Sequence, residues 1–67
     1  MKKVLLVEDT ITLNETIKTF LELKKFKVDS AYNGKEALKL IENNRYNLYI
    51  MDINIPDLTG LDLINKI

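Results

Sequence analysis

Three segments of the chain have the hydrophobic pattern of β-strands. Val4–Val7 and Leu48–Met51 are apolar at every position, which is typical of short strands buried on both faces of a parallel sheet. Lys27–Ala31 is a weaker candidate because only Val28 and Ala31 are apolar, a mixture expected at the edge of a sheet. The pattern therefore predicts two central strands and one edge strand.

The segments that follow these strands carry apolar residues at helical spacing, with charged residues on the opposite side. We predict one amphipathic helix from about Ile11 to Lys24 and a second from the Asn33-Gly34 turn signal to Asn44. The predicted core-facing positions of the first helix are Leu13, Ile17, Phe20 and Leu21, with Asn14, Glu15, Lys18, Glu22 and Lys25 mostly on the other side. The corresponding positions of the second helix are Ala37, Leu38, Leu40 and Ile41. A third helix is predicted to begin after a capping residue, Thr59, and to continue to Ile67.

The order of these elements is strand, helix, strand, helix, strand, helix. Connections this short favour right-handed crossovers between parallel strands, so the predicted fold class is α/β. A chain of 67 residues holds one small domain at most, and we assign residues 1–67 to a single domain.

Composition narrows the possible chemistry. The chain contains no cysteine and no histidine, which excludes disulfides, thiolate or imidazole metal sites, and catalysis by Ser-His or Cys-His pairs. Ten basic residues balance ten acidic ones, so the chain has no net positive charge that would attract nucleic acid or an anionic membrane. No apolar run approaches the roughly 20 residues of a membrane-spanning helix. We expect a cytoplasmic protein that binds neither nucleic acid nor membranes through this segment.

Three carboxylates follow the two most apolar segments, and these residues are the candidates for chemistry. Glu8 and Asp9 end the first strand, and Asp52 ends the third. In open parallel sheets, ligands bind beyond the carboxyl ends of the strands, where the strand order reverses. If the order is 2-1-3, the three acids meet there and repel one another unless a cation neutralises them. Mg²⁺ suits such a site because it prefers oxygen ligands.

Each acid also has an ordinary structural interpretation. A single acidic residue after a strand is often a helix cap or part of a solvated turn, and this alternative applies to Glu8, Asp9 and Asp52 taken one at a time. Their joint occurrence at the ends of two adjacent strands favours a shared site.

Three motifs resemble the receiver domain of bacterial two-component response regulators: KVLLVED at residues 3–9, AYNGKEA at 31–37 and LYIMDINIPDLTG at 48–60. The resemblance covers essentially the whole chain and implies half of a flavodoxin-like, doubly wound parallel sheet with the order 2-1-3. It also implies that Asp52 is the phosphoacceptor. Glu8, Asp9 and Asp52 would bind Mg²⁺ together with the backbone carbonyl of Asn54. Pro56 and Gly60 match the family's loop after the acceptor strand.

The same resemblance implies a partner and an incomplete site. The family's phosphoryl donor is a phosphohistidine on a sensor histidine kinase, which this chain cannot supply itself because it has no histidine. Receivers have about five strand-helix units, whereas this chain ends within what would be the third helix. The family's phosphate-contacting Ser or Thr and its lysine have no assigned residue here, and Thr59 and Lys66 are poor substitutes. We expect impaired phosphotransfer by this segment alone.

Ending at the third unit would leave the apolar strand Leu48–Met51 at the edge of the sheet. We therefore expect a symmetric homodimer in which two such strands pair antiparallel. Two other functions stay open. One is a half-receiver scaffold or self-association module without phosphotransfer. The other is a Mg²⁺-dependent phosphatase with an aspartyl nucleophile, although such enzymes commonly place a second Asp two residues on, where this chain has Asn54.

Overall fold

The computed structural model describes residues 2–52 and contains three strands and two helices. In chain order these are β1 (Lys3–Val7), α1 (Ile11–Leu23), β2 (Lys27–Ala31), α2 (Gly34–Asn43) and β3 (Leu48–Met51). The strands form one parallel sheet in the order β2-β1-β3, as predicted. The predicted third helix, together with Asn54, Pro56 and Gly60, lies outside the described residues. Within residues 2–52, neither helix is long and apolar enough to cross a bilayer.

The core is built on both faces of the central strand β1. Its residues Val4, Leu5, Leu6 and Val7 are at most 1% exposed, as expected for a strand that is apolar throughout. Leu5 and Val7 pack on the α2 side with the buried residues Ala31 and Ala37. Val4 and Leu6 pack on the α1 side with Leu21 and Val28. The two helices therefore cover opposite faces of the sheet.

The predicted core face of α1 is partly wrong. Leu21 is buried and Ile17 is half-buried, but Leu13 and Phe20 are 47% and 58% exposed, whereas Asn14 is completely buried. Asn14 and Leu21 lie seven positions apart and share the face toward the sheet, while Leu13 and Phe20 share the adjacent face. Helix α1 is thus rotated about its own axis relative to the predicted orientation. Two hydrogen bonds that the Asn14 side chain donates to main-chain carbonyls stabilise the observed orientation.

Helix α1 ends in a Schellman motif. The N–H of Phe26 donates to the carbonyl of Leu21 at 3.1 Å, and the N–H of Lys25 donates to that of Glu22 at 3.0 Å. Lys25 has a φ of 73°, in the left-handed region where glycine is more usual. Phe26 and Leu21 belong to the same hydrophobic cluster, so the motif directs the chain into β2.

The start of β3 is joined to the start of β1 by Asn47. Its side-chain Oδ1 accepts from the N–H of Lys3 at 2.8 Å, and its own N–H donates to the Lys3 carbonyl at 2.8 Å. This reciprocal pair aligns β3 with β1 in the register Val4↔Leu48 through Val7↔Met51. That register places Asp52 next to the end of β1.

Candidate metal centre

Main-chain hydrogen bonds bring the carboxyl ends of the three strands together. The N–H of Glu8 donates to the carbonyl of Ala31 at the end of β2, at 3.1 Å. The N–H of Asp52 donates to the carbonyl of Val7 at the end of β1, at 3.0 Å. The backbones of Glu8 and Asp52 are thereby fixed directly after the ends of neighbouring strands.

The three predicted acids come together at this edge of the sheet. One carboxylate oxygen from each of Glu8, Asp9 and Asp52 lies within 4.8 Å of the other two. Glu8 is buried, with 7% of its surface exposed, Asp52 is half-buried and Asp9 is exposed. The proximity expected from the strand order is thus observed for all three, and the cluster opens to solvent on the Asp9 side.

The Glu8 side chain is oriented by the start of α1. Its Oε2 accepts a hydrogen bond from the N–H of Thr10 at 2.9 Å. Thr10 is the N-cap residue of α1, and its own side chain makes no capping hydrogen bond. Main-chain N–H groups at a helix N-terminus favour nearby negative charge. Because a carboxylate has two oxygens, this bond leaves Glu8 able to accept from a second partner.

The donor set fits a hard divalent cation. Three carboxylates supply only oxygen ligands, and their mutual repulsion is offset by a bound positive charge. Mg²⁺ is commonly held by one or two carboxylates together with water and phosphate oxygens, so a cluster with one exposed and one half-buried member suits it.

The sequence reasoning missed Asn14, which lies behind this cluster. Its Nδ2 donates to the carbonyl of Glu8 at 3.0 Å and to that of Ala31 at 3.2 Å. The available signal was its spacing of seven residues from the buried Leu21, but a polar residue is normally assigned to the solvent side of an amphipathic helix.

Comparisons with known proteins agree on the family. A family model described as the response regulator receiver domain matches residues 4–67. The transcriptional regulatory protein CpxR homolog of Haemophilus influenzae is 43% identical over 67 residues, which cover 100% of this chain and 29% of that protein. The transcriptional regulatory protein CrdR of Helicobacter pylori is 39% identical over 66 residues, which cover 98% of this chain and 31% of that protein. The chain thus spans less than a third of these two curated relatives.

Solved structures give the same result for the fold. The response regulator TrrA of Thermotoga maritima, solved in complex with Mg²⁺-BeF, superposes with a TM-score of 0.89 at 36% identity, over 98% of this chain and 57% of that one. The chemotaxis response regulator CheY4 of Vibrio cholerae gives a TM-score of 0.90 at 33% identity, over 96% of this chain and 53% of that one. These neighbours confirm the predicted flavodoxin-like arrangement of the strands. From its motifs, its sheet order and these matches, the chain belongs to the receiver domain family of two-component response regulators.

Proposed function

We propose that this chain is the phosphoacceptor part of a response regulator and that Asp52 takes a phosphoryl group from a sensor histidine kinase in a Mg²⁺-dependent reaction. The observation that carries the proposal is the convergence of Glu8, Asp9 and Asp52 within 4.8 Å in a chain of the receiver family. A relative of this family, TrrA, was solved in complex with Mg²⁺-BeF, which supports a site for the ion together with a phosphoryl-like group.

The residues divide into two roles. Glu8, Asp9 and Asp52, with the backbone carbonyl of Asn54, would hold Mg²⁺, which when bound supplies charge neutralisation for attacking and transferring oxygens. Asp52 is the nucleophile. An oxygen of its carboxylate forms a bond to phosphorus while the phosphorus–nitrogen bond of the phosphohistidine breaks, and the departing imidazole keeps the electron pair of that bond.

The role of the chain is signalling and not turnover. Phosphorylation of Asp52 would shift a conformational equilibrium of the parent protein, as in other charge-based switches. Residues 1–67 would form the amino-terminal half of the receiver domain, which agrees with their coverage of 53–57% of the solved chains described above. The rest of the domain would supply the hydroxyl and lysine contacts to the phosphoryl group, so we expect slow phosphorylation of residues 1–67 alone.

The proposed partners are a sensor histidine kinase and a second copy of this chain. The second copy would pair through β3, which has a neighbour on one side only within the described sheet. Leu48 at the start of this strand is 45% exposed, an apolar position at an open edge. We further propose that the protein is cytoplasmic and that this segment binds neither nucleic acid nor membranes.

Acetyl phosphate with Mg²⁺ tests the acceptor role. The chain is incubated with this small donor, and the adduct is located by mass spectrometry and by its cleavage with hydroxylamine, which attacks acyl phosphates. We expect label on Asp52, its loss in Asp52→Asn and on chelation of Mg²⁺, and its retention in the matched variant Asp57→Asn.

The outcomes separate the candidate functions. A stable adduct on Asp52 supports the switch. Repeated release of inorganic phosphate, with acetyl phosphate consumed well beyond one equivalent, supports an aspartyl phosphatase. Absence of both at millimolar Mg²⁺ supports a scaffold and contradicts the proposal, as does label that persists in Asp52→Asn.

A further inference from the structure

Asn14 is the polar side chain that the packing of α1 does not explain. Its exposed fraction is 0%, in a helix whose adjacent face leaves the apolar side chains of Leu13 and Phe20 about half exposed. Burying an amide is costly unless it is hydrogen-bonded. Both N–H groups of the Asn14 amide are used, in bonds of 3.0 Å to the carbonyl of Glu8 and 3.2 Å to that of Ala31. Its Oδ1 has no hydrogen-bond partner in the described part of the chain.

Both carbonyls that accept these bonds lie in the backbone beside the carboxylate cluster. The carbonyl of Glu8 belongs to the peptide group that links Glu8 to Asp9, the two acids supplied by β1. The carbonyl of Ala31 also accepts the N–H of Glu8. Asn14 and Ala31 therefore close a ring of hydrogen bonds around the main chain of Glu8, in which both its N–H and its C=O are held.

We propose that Asn14 is a positioning residue for the metal centre. By holding the Glu8–Asp9 peptide against the end of β2, it sets the direction from which both carboxylates enter the cluster. This inference rests on the proposed Mg²⁺ site. Removal of a group that hydrogen-bonds to metal ligands and orients them, without contacting the metal, typically weakens metal affinity by about 10- to 100-fold. Asn14 acts on the ligands through their backbone, so it contacts neither the ion nor the phosphoryl group.

A purely structural role for Asn14 makes a different prediction from a positioning role. If Asn14 only stabilises the packing of α1, its loss lowers the folded population and leaves the Mg²⁺ affinity of the folded protein unchanged. If it positions the acids, the affinity of the folded protein falls as well.

The experiment compares Asn14→Leu, which keeps the branched shape of the side chain and removes both donors, with Val28→Ala as the control. Val28 is buried in the same α1-side core and is not part of the carboxylate cluster. The Kd for Mg²⁺ is obtained for each folded chain from the increase in stability with ion concentration, which reports how much more tightly the ion binds the native state than the unfolded chain. Amide NMR shifts of Glu8, Asp9 and Thr10 are recorded without Mg²⁺ as a second readout.

We expect a Kd at least about 10-fold weaker in Asn14→Leu, with displaced amide signals at Glu8 and Asp9, and a Kd within about threefold of the original in Val28→Ala. Equal Kd values in Asn14→Leu and the original chain overturn the positioning role and leave the proposed function intact. If the original chain itself shows no stabilisation by Mg²⁺, the proposed function fails together with this inference. If Asn14→Leu does not fold, Asn14→Ser is held to the same criteria.

Discussion

At the scale of single residues, a half-buried polar contact joins Tyr46 to β2. The Tyr46 hydroxyl donates to Oδ2 of Asp29 at 2.8 Å, and Lys3 Nζ lies 3.7 Å from the same oxygen and 5.1 Å from the centre of the Tyr46 ring. Burial, the hydrogen bond to Asp29 and the negative charge of that residue, in decreasing order, raise the pKa of Tyr46 above its usual value. The contact ties the segment before β3 to the sheet.

The raised pKa makes stability depend on pH in alkaline solution. Because the folded chain holds the phenolic proton more tightly than the unfolded chain does, this contribution to stability is complete below about pH 10. It is lost as the pH rises from about 10 through the folded-state pKa. We expect the free energy of unfolding to fall more steeply above about pH 10 in the original chain than in Tyr46→Phe.

Tyr46→Phe also removes the hydrogen bond itself and should lower stability at neutral pH by about 1 kcal/mol. Urea denaturation from about pH 8 to about pH 11 measures both effects, with Tyr32→Phe as a matched loss of a hydroxyl. Identical alkaline slopes for the original chain and Tyr46→Phe would contradict the raised pKa of Tyr46 in the folded chain.

At the scale of elements, the two helices begin in different ways. The N-cap of α2 is Asn33, whose side chain accepts from the N–H of Glu36 at 2.9 Å, while Oε1 of Glu36 accepts from the N–H of Tyr32 at 2.8 Å. The N-cap of α1 is Thr10, whose side chain makes no capping bond. Two side-chain acceptors therefore satisfy main-chain N–H groups at the start of α2. The corresponding bond at the start of α1 runs from the N–H of Thr10 to the side-chain carboxylate of Glu8.

This difference predicts unequal costs for two similar substitutions. Asn33→Ala should lower the free energy of unfolding by about 1 kcal/mol because it leaves the N–H of Glu36 without its acceptor. Thr10→Ala should cost no more than a few tenths of a kcal/mol, since the N–H that bonds Glu8 is kept. Chemical denaturation monitored by circular dichroism checks both values. A larger loss in Thr10→Ala than in Asn33→Ala would contradict this assignment of the caps.

The strands and helices of residues 2–52 could be predicted from the sequence, but the orientation of α1 could not. Strand and helix limits follow from local apolar runs and turn residues, and the observed α1 ends within one residue of the predicted Lys24. The inner face of α1 depends on hydrogen bonds from Asn14 to the carbonyls of Glu8, directly after β1, and of Ala31, at the end of β2. Those contacts exist only once the sheet has formed. The apolar pattern alone favoured Leu13 and Phe20, which lie about 100° around the helix from Asn14 and Leu21, respectively.

The carboxylate cluster was predictable for a related reason. Two apolar strands ending in acids meet at one edge in any parallel sheet with the order observed here, so the proximity of Glu8, Asp9 and Asp52 follows from topology. The role of the Glu8 carboxylate toward Thr10 was not predictable, since it depends on the path of the backbone between β1 and α1.

At the scale of the whole molecule, β3 is an edge strand within the described sheet and lacks a charged residue among its four members. Such an edge recruits another strand. We expect the chain to sediment as a dimer at micromolar concentration and Leu48→Lys to shift it toward the monomer, because a lysine on the edge must be desolvated when two strands pair.

Leu23→Lys is the matched control for this experiment, since Leu23 is 75% exposed on α1, away from the sheet edge. It should leave the dimer unchanged. A folded monomer in the original chain, or equal dissociation in both lysine variants, would remove the edge-pairing hypothesis.

The main-chain hydrogen bond from the N–H of Asp52 to the Val7 carbonyl couples the completion of the cation site to the pairing of β3 with β1. Glu8 and Asp9 are neighbours in sequence, but the third acid arrives only when β3 has docked beside β1. An ion that requires all three acids would bind only after β3 has paired with β1, and its binding would then stabilise that pairing. Transient loss of the pairing between β3 and β1 would therefore lower the affinity for the cation before any helix unfolds.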